Sequence, residues 1–123
     1  MENEKIKSFT DLNAWKQAHK LALMIYQETE SFPQKEVFGL TNQMRRAAVS
    51  ITSNIAEGFS RSTNKDKYQF YIMAQGSLIE LQSQLLIARD VKYLEEKNFQ
   101  HIAEQTIAVH KLINGLKRIK ISI

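Results

Sequence analysis

The stretch GLTNQMRRAAVSITSNIAEGF, residues 39–59, decides how this chain folds. Wound at about 100° per residue, it places Leu40, Met44, Ala47, Ile51, Ile55 and Gly58 on one narrow apolar stripe, a core seam. Beside that seam runs a second stripe, Gln43, Arg46, Ser50, Asn54 and Glu57, spaced by three and four. Amides, a hydroxyl and one charge of each sign suit fixed hydrogen bonds better than free solvation. The stripe reads as a polar network that fixes the register of the helix against its neighbours; a ligand site is the other reading. Ala47, Ala48, Ser50 and Ser53 keep the helix thin, so neighbouring backbones can come close. Gly58 is expected to end it as a left-handed cap.

Outward from this helix the chain reads as helices alone. Its 123 residues suit one domain, and 43% hydrophobic content supports a core. One Pro and four Gly leave long runs unbroken. The absence of Cys excludes disulfides, thiolate metal cages and a cysteine nucleophile. With no signal-peptide pattern and no apolar run of ~18 residues, a cytoplasmic protein with no membrane role is expected.

Residues 1–8 read as a loose N-terminal arm. A first helix should begin near Thr10 or Asp11, either able to cap it, and stop at Phe32-Pro33. Its seam is Trp15, Ala18, Ala22, Ile25, Thr29 and Phe32, widened by Leu12, His19, Leu23 and Tyr26 beyond what one bundle needs. After a polar loop, where Thr63 and Asp66 suit a capping pair, a third helix spans about 64–91. It carries a seam of Phe70, Ala74, Ser77, Leu81, Leu85 and Ala88, with Leu78 at its edge. Tyr68, Ile72, Ile79 and Leu86 form a second apolar stripe on nearly the opposite side, which reads as an oligomer interface. A fourth helix, about 98–116, has the seam Phe99, Ile102, Thr106, Val109, Ile113 and Leu116, and 117–123 reads as a basic tail.

Four helices with short connections pack most simply as an all-α, antiparallel up-down-up-down bundle. That topology gathers Lys5, Lys7, Arg61, Lys65, Lys67, Lys117, Arg118 and Lys120 at one end, against Glu2, Glu4, Asp11, Glu57 and Asp66. With a net charge of +4, these cations are the candidate nucleic-acid contacts. Chemistry is otherwise sparse. No Glu has a His three residues on, as a di-iron bundle requires, and phosphate-loop and nucleophile-elbow patterns are missing. Glu57 is expected to pair with Arg46 or Arg61. Neither metal, cofactor nor enzymatic activity is expected.

Phe9, Asp11-Leu12, Trp15, Ile25-Tyr26, Phe32-Pro33, Glu36, Phe38-Gly39-Leu40, Gln43, Arg45-Arg46-Ala47-Ala48, Ser50-Ile51 and Asn54-Ile55-Ala56-Glu57-Gly58 together resemble the four-helix-bundle proteins encoded in bacterial 23S rRNA intervening sequences. Ala74, Gly76-Ser77-Leu78, Glu80-Leu81 and Tyr93-Leu94 continue the match. Ser60 and Lys92 stand where relatives often carry Gly. The resemblance implies a bundle that assembles as a ring, typically a homopentamer. Similar proteins include the accessory variability determinants of diversity-generating retroelements, which bind nucleic acid and a reverse transcriptase. The expected function is that of a non-enzymatic, oligomeric adapter associated with RNA or a nucleoprotein. The alternative is a structural or protein-interaction module with no nucleic-acid role.

Overall fold

The computed structural model describes residues 5–121, with side chains as far as Arg118. A 3-10 turn at Phe9–Asp11 leads into α1 (Asn13–Thr29), and a second at Gln34–Glu36 leads into α2 (Leu40–Ser60). α3 (Asn64–Asp90) and α4 (Glu96–Ile121) follow, and no strand occurs among the described residues. α1 packs on α2, α2 on α3, α3 on α4 and α4 back on α1. This is the square, antiparallel four-helix bundle that the apolar periodicities specify.

The α2 seam lies in the core as expected: Met44, Ala47, Ile51 and Ile55 are buried. Ala18, Ala22 and Ile25 from α1 and Phe32 from the connection after it join them, as do Ala74, Leu81 and Leu85 from α3, and Ile102, Val109 and Ile113 from α4. Two α3 residues sit deeper than their wheel positions indicated. Leu78 is fully buried rather than at the edge, and Tyr71 is 2% exposed. Leu21 of α1 is likewise fully buried, whereas Leu23 and Tyr26, expected to widen that apolar side, face outward.

Several boundaries differ from expectation. Neither Thr10 nor Asp11 caps α1: the position before that helix is Leu12, which offers no side-chain cap, and the capped element is the preceding 3-10 turn, whose cap is Ser8. Its hydroxyl accepts the Thr10 amide at 3.1 Å, and Asp11 Oδ2 accepts the Lys7 and Ser8 amides at 2.9 and 3.1 Å. The reciprocal box fixes Lys7 and Ser8, the last residues of the expected loose arm; residues 1–4 lie outside the described residues. α1 ends at Thr29, which lets Phe32 turn back into the core against Tyr93, ring centroids 5.5 Å apart.

Gly58 is not a cap. α2 continues through it to Ser60, and no glycine among the described residues has positive φ. Its role is steric: a Cβ there would lie 2.6 Å from Cε1 of Tyr71 and 3.1 Å from Cβ of Phe70. The missing side chain is the space into which α3 lays its buried tyrosine.

The left-handed residue is Lys92, with φ 72°. The Tyr93 amide reaches back to the Ala88 carbonyl at 2.9 Å and the Lys92 amide to that of Arg89 at 3.0 Å. That is a complete Schellman closure of α3, formed by a lysine instead of the usual glycine. α4 runs further than its apolar seam, so the basic tail continues the helix as far as Ile121. Helix C-termini favour cations, and the seam position after Leu116 falls on Lys120, so the apolar periodicity stops before the helix does.

Candidate functional site

Three surfaces carry the residues that sequence reasoning singled out. The first is the polar stripe of α2. Its buried part is smaller than expected. Ser50 Oγ lies 2.8 Å from Ser77 Oγ across the α2–α3 contact, and Asn54 Nδ2 donates to the Ser50 carbonyl at 2.9 Å and hydroxyl at 3.1 Å. Both Ser50 and Asn54 are half-buried, whereas Gln43, Arg46 and Glu57 are exposed on this chain. Those three turn outward past the α3 contact. Glu57 pairs with Arg61 at 2.9 Å, one of the two partners expected for it. Gln43, Arg46, Ser50, Ser77 and Glu80 line an open groove of about 220 Å³. Below it, Gln84 is 6% exposed; its amide donates to Glu80 Oε2 at 3.4 Å, and its own oxygen has no partner. Periodicity alone puts Ser77, the central partner of this network, in an apolar seam; facing Ser50 across two antiparallel helices is a relation that only tertiary structure reveals.

The second surface is the basic end, where the α2–α3 loop meets the start of α1 and the end of α4. Among the predicted cations, Arg61, Lys67 and Lys117 have partners within the chain. Arg61 holds Glu57, and its guanidinium lies 4.5 Å from the Phe70 ring centroid. Lys67 Nζ donates to the Phe59 carbonyl at 2.6 Å, capping the end of α2 where unsatisfied carbonyls favour a cation. Lys117 Nζ donates to Gln75 Oε1 at 2.6 Å, and Gln75 in turn donates to Asn114 at 2.9 Å. Lys5, Lys7, Lys65 and Arg118 are exposed. The Lys120 side chain lies outside the described residues.

The third surface is the outer side of α3. Of the expected interface residues, Ile72 is 37% exposed, Ile79 54% and Leu86 44%, and Tyr68 is half-buried. Met73, Ile87 and, from α4, Ile107 are exposed in addition. Toward α4, Leu86 and Ile107 border an apolar depression of about 150 Å³ with Phe99 and Ala103. Gln75 and Gln82, which separate the two stripes of α3, point toward α4: Gln82 donates to Thr106 at 3.1 Å.

The opposite end holds a relation that the sequence did not suggest. Glu36 Oε1 accepts the Leu40 amide at 3.0 Å and its Oε2 accepts the Tyr93 hydroxyl at 2.9 Å. Those two hydrogen bonds hold the Glu36 carboxyl below its usual range, the Leu40 amide contributing more, and the hydrogen bond to Glu36 pushes the Tyr93 phenol up. Among the described residues no group of His and carboxylate side chains could hold a metal ion. No helix among them is long and apolar enough to cross a membrane.

The family model of the 23S rRNA-intervening sequence protein matches residues 10–115. Among solved structures, the chain is similar to a protein of unknown function from the S23 ribosomal protein family of Bacteroides thetaiotaomicron VPI-5482, known from a 1.70 Å crystal structure. The TM-score is 0.78 at 16% identity, over 85% of this chain and 95% of that one; at that identity the likeness concerns the fold. No curated protein matches the sequence.

Proposed function

The chain belongs to the 23S rRNA-intervening sequence protein family, and on that footing we propose that it is a non-enzymatic homo-oligomer, the homopentamer that the resemblance implies, associated in the cytoplasm with RNA or a nucleoprotein. The observation that carries the reading is the outer side of α3, where Ile72, Met73, Ile79, Leu86 and Ile87 stand exposed along one helix. Contiguous apolar surface of that kind marks an interaction site. Self-association then repeats one basic end around a common axis. Lys5, Lys7, Lys65 and Arg118, unremarkable on one chain, form a positive rim that attracts polyanions.

A rim of this composition grips phosphates and reads no bases, so association should be weakly sequence-specific and strongly salt-dependent. Fluorescence anisotropy of a labelled RNA, titrated at rising salt, tests it. Binding should fall steeply with salt and weaken for every RNA sequence alike in a Lys65→Glu, Arg118→Glu variant. No binding even near about 50 mM salt removes the RNA role. One observation favours the second reading, a protein-interaction module: Arg61, Lys67 and Lys117 are engaged with Glu57, the Phe59 carbonyl and Gln75.

A further inference from the structure

On the outer face of α3, Ile72, Gly76, Ile79, Ser83 and Leu86 follow one another at steps of four and three. That is the period of a helix–helix seam, and it faces away from the bundle core. Large apolar and small residues alternate along it. Gly76 is exposed in the middle of a 27-residue helix, and nothing lies within 4 Å of where its Cβ would be. Its own chain therefore gives no reason for a residue that weakens a helix interior. A glycine in such a place suits the close approach of another backbone.

α2 carries a matching outer row, Asn42, Arg46, Val49, Ser53 and Ala56, also at steps of four and three and opposite its own core seam. It is built mainly of short side chains. The heights of the two rows agree. Within one chain Ser50 stands beside Ser77, and Gly58 beside Phe70 and Tyr71. By that count Ala56 is level with Ile72, Val49 with Ile79 and Asn42 with Leu86. The intervening layers set Ser53 near Gly76 and Arg46 near Ser83. Two copies standing side by side, ends aligned, would thus bring α2 of one antiparallel to α3 of the next, layer on layer.

We propose that the outer row of α2 in one copy seats on the Ile72–Leu86 seam of α3 in the next. The proposal rests on the homo-oligomer reading above and specifies its contact. Charge does not oppose shape: Arg46, the one charged member of the α2 row, arrives at the uncharged Ser83 layer. Because the two rows are different surfaces, the contact is heterologous. Because they meet without an axial step, repetition closes a ring instead of extending a filament. The α2–α3 groove, between the two contacts, then faces the ring's interior.

The chain has no cysteine, so disulfide trapping tests the contact directly. A Val49→Cys, Ile79→Cys double variant, shown to be assembled before oxidation, should give a ladder of covalently linked copies on a non-reducing gel. Each single variant should stay unlinked, since neither position meets its own copy. Ile79→Cys linking alone in pairs means a two-fold contact and overturns the proposal. An assembled double variant that stays unlinked overturns it as well, leaving the homo-oligomer reading intact; a wild type that never assembles defeats both. As an independent variant, Gly76→Leu should break the assembly while helical content and the folded monomer persist. Full assembly of Gly76→Leu also contradicts the proposal.

Discussion

The hydroxyl of Tyr93 donates to Glu36 Oε2 at 2.9 Å across 57 positions of sequence. α2 has no side-chain cap of its own, since its first position outside the helix is Gly39. The Glu36 carboxylate takes that place by accepting the Leu40 amide, a favourable position for negative charge at a helix N-terminus. A Cβ on Gly39 would lie 2.7 Å from Glu36 Oε1, so the glycine leaves room for this cap. Through Tyr93 the same carboxylate ties the α1–α2 connection to the α3–α4 connection.

The first prediction follows from the lowered pKa of Glu36. A carboxylate whose folded pKa lies below the ordinary 4.5 contributes stability that is present above that value. The contribution is lost as pH falls through the folded pKa. Glu36→Gln should therefore melt below the wild type at neutral pH, and the two melting curves should converge as the solution is acidified below the carboxylate range. Tyr93→Phe should show a smaller deficit at neutral pH. Thermal melts at stepped pH decide it; a constant difference at all pH values refutes the assignment.

Two glycines should respond oppositely to alanine. Gly58→Ala places a methyl against the buried ring of Tyr71 and should destabilise by about 1–3 kcal/mol. Gly115→Ala, where nothing lies within 4 Å of the added carbon, should stabilise α4 by about 0.5–1 kcal/mol. Urea unfolding of both variants separates a packing glycine from a merely tolerated one.

Lys92 gives the third test. A lysine held at φ 72° is strained, and the cap geometry around it is already complete. Lys92→Gly should raise stability by about 1 kcal/mol with no change in assembly. A loss of stability would mean that the lysine side chain contributes more than its backbone costs.

The apolar periodicity of α2, α3 and α4 carried most of the architecture, because a seam such as Met44, Ala47, Ile51 and Ile55 depends only on 3.6-residue spacing. What could not be read lies between elements. Tyr71 is buried because Gly58, on another helix, leaves a gap for it, so neither residue reveals its role alone. Gly58 near an apparent helix end reads as a cap, yet the left-handed conformation falls at Lys92, a residue type that gives no cue. The polar stripe was visible as a pattern, but which members are sheltered depends on where α3 lies, and only Ser50 and Asn54 fall under it. Cations could be counted from sequence; that Arg61, Lys67 and Lys117 already have partners could not.

Sedimentation velocity at micromolar concentration tests the central claim, that the exposed outer face of α3 is a self-association surface. The wild type should sediment as a single species several times the 14.3 kDa chain mass. Ile79→Asp, a charge in the middle of that face, should sediment as a folded monomer with helical content unchanged. A wild type that is monomeric there, or an Ile79→Asp variant that assembles like the parent, would contradict the account.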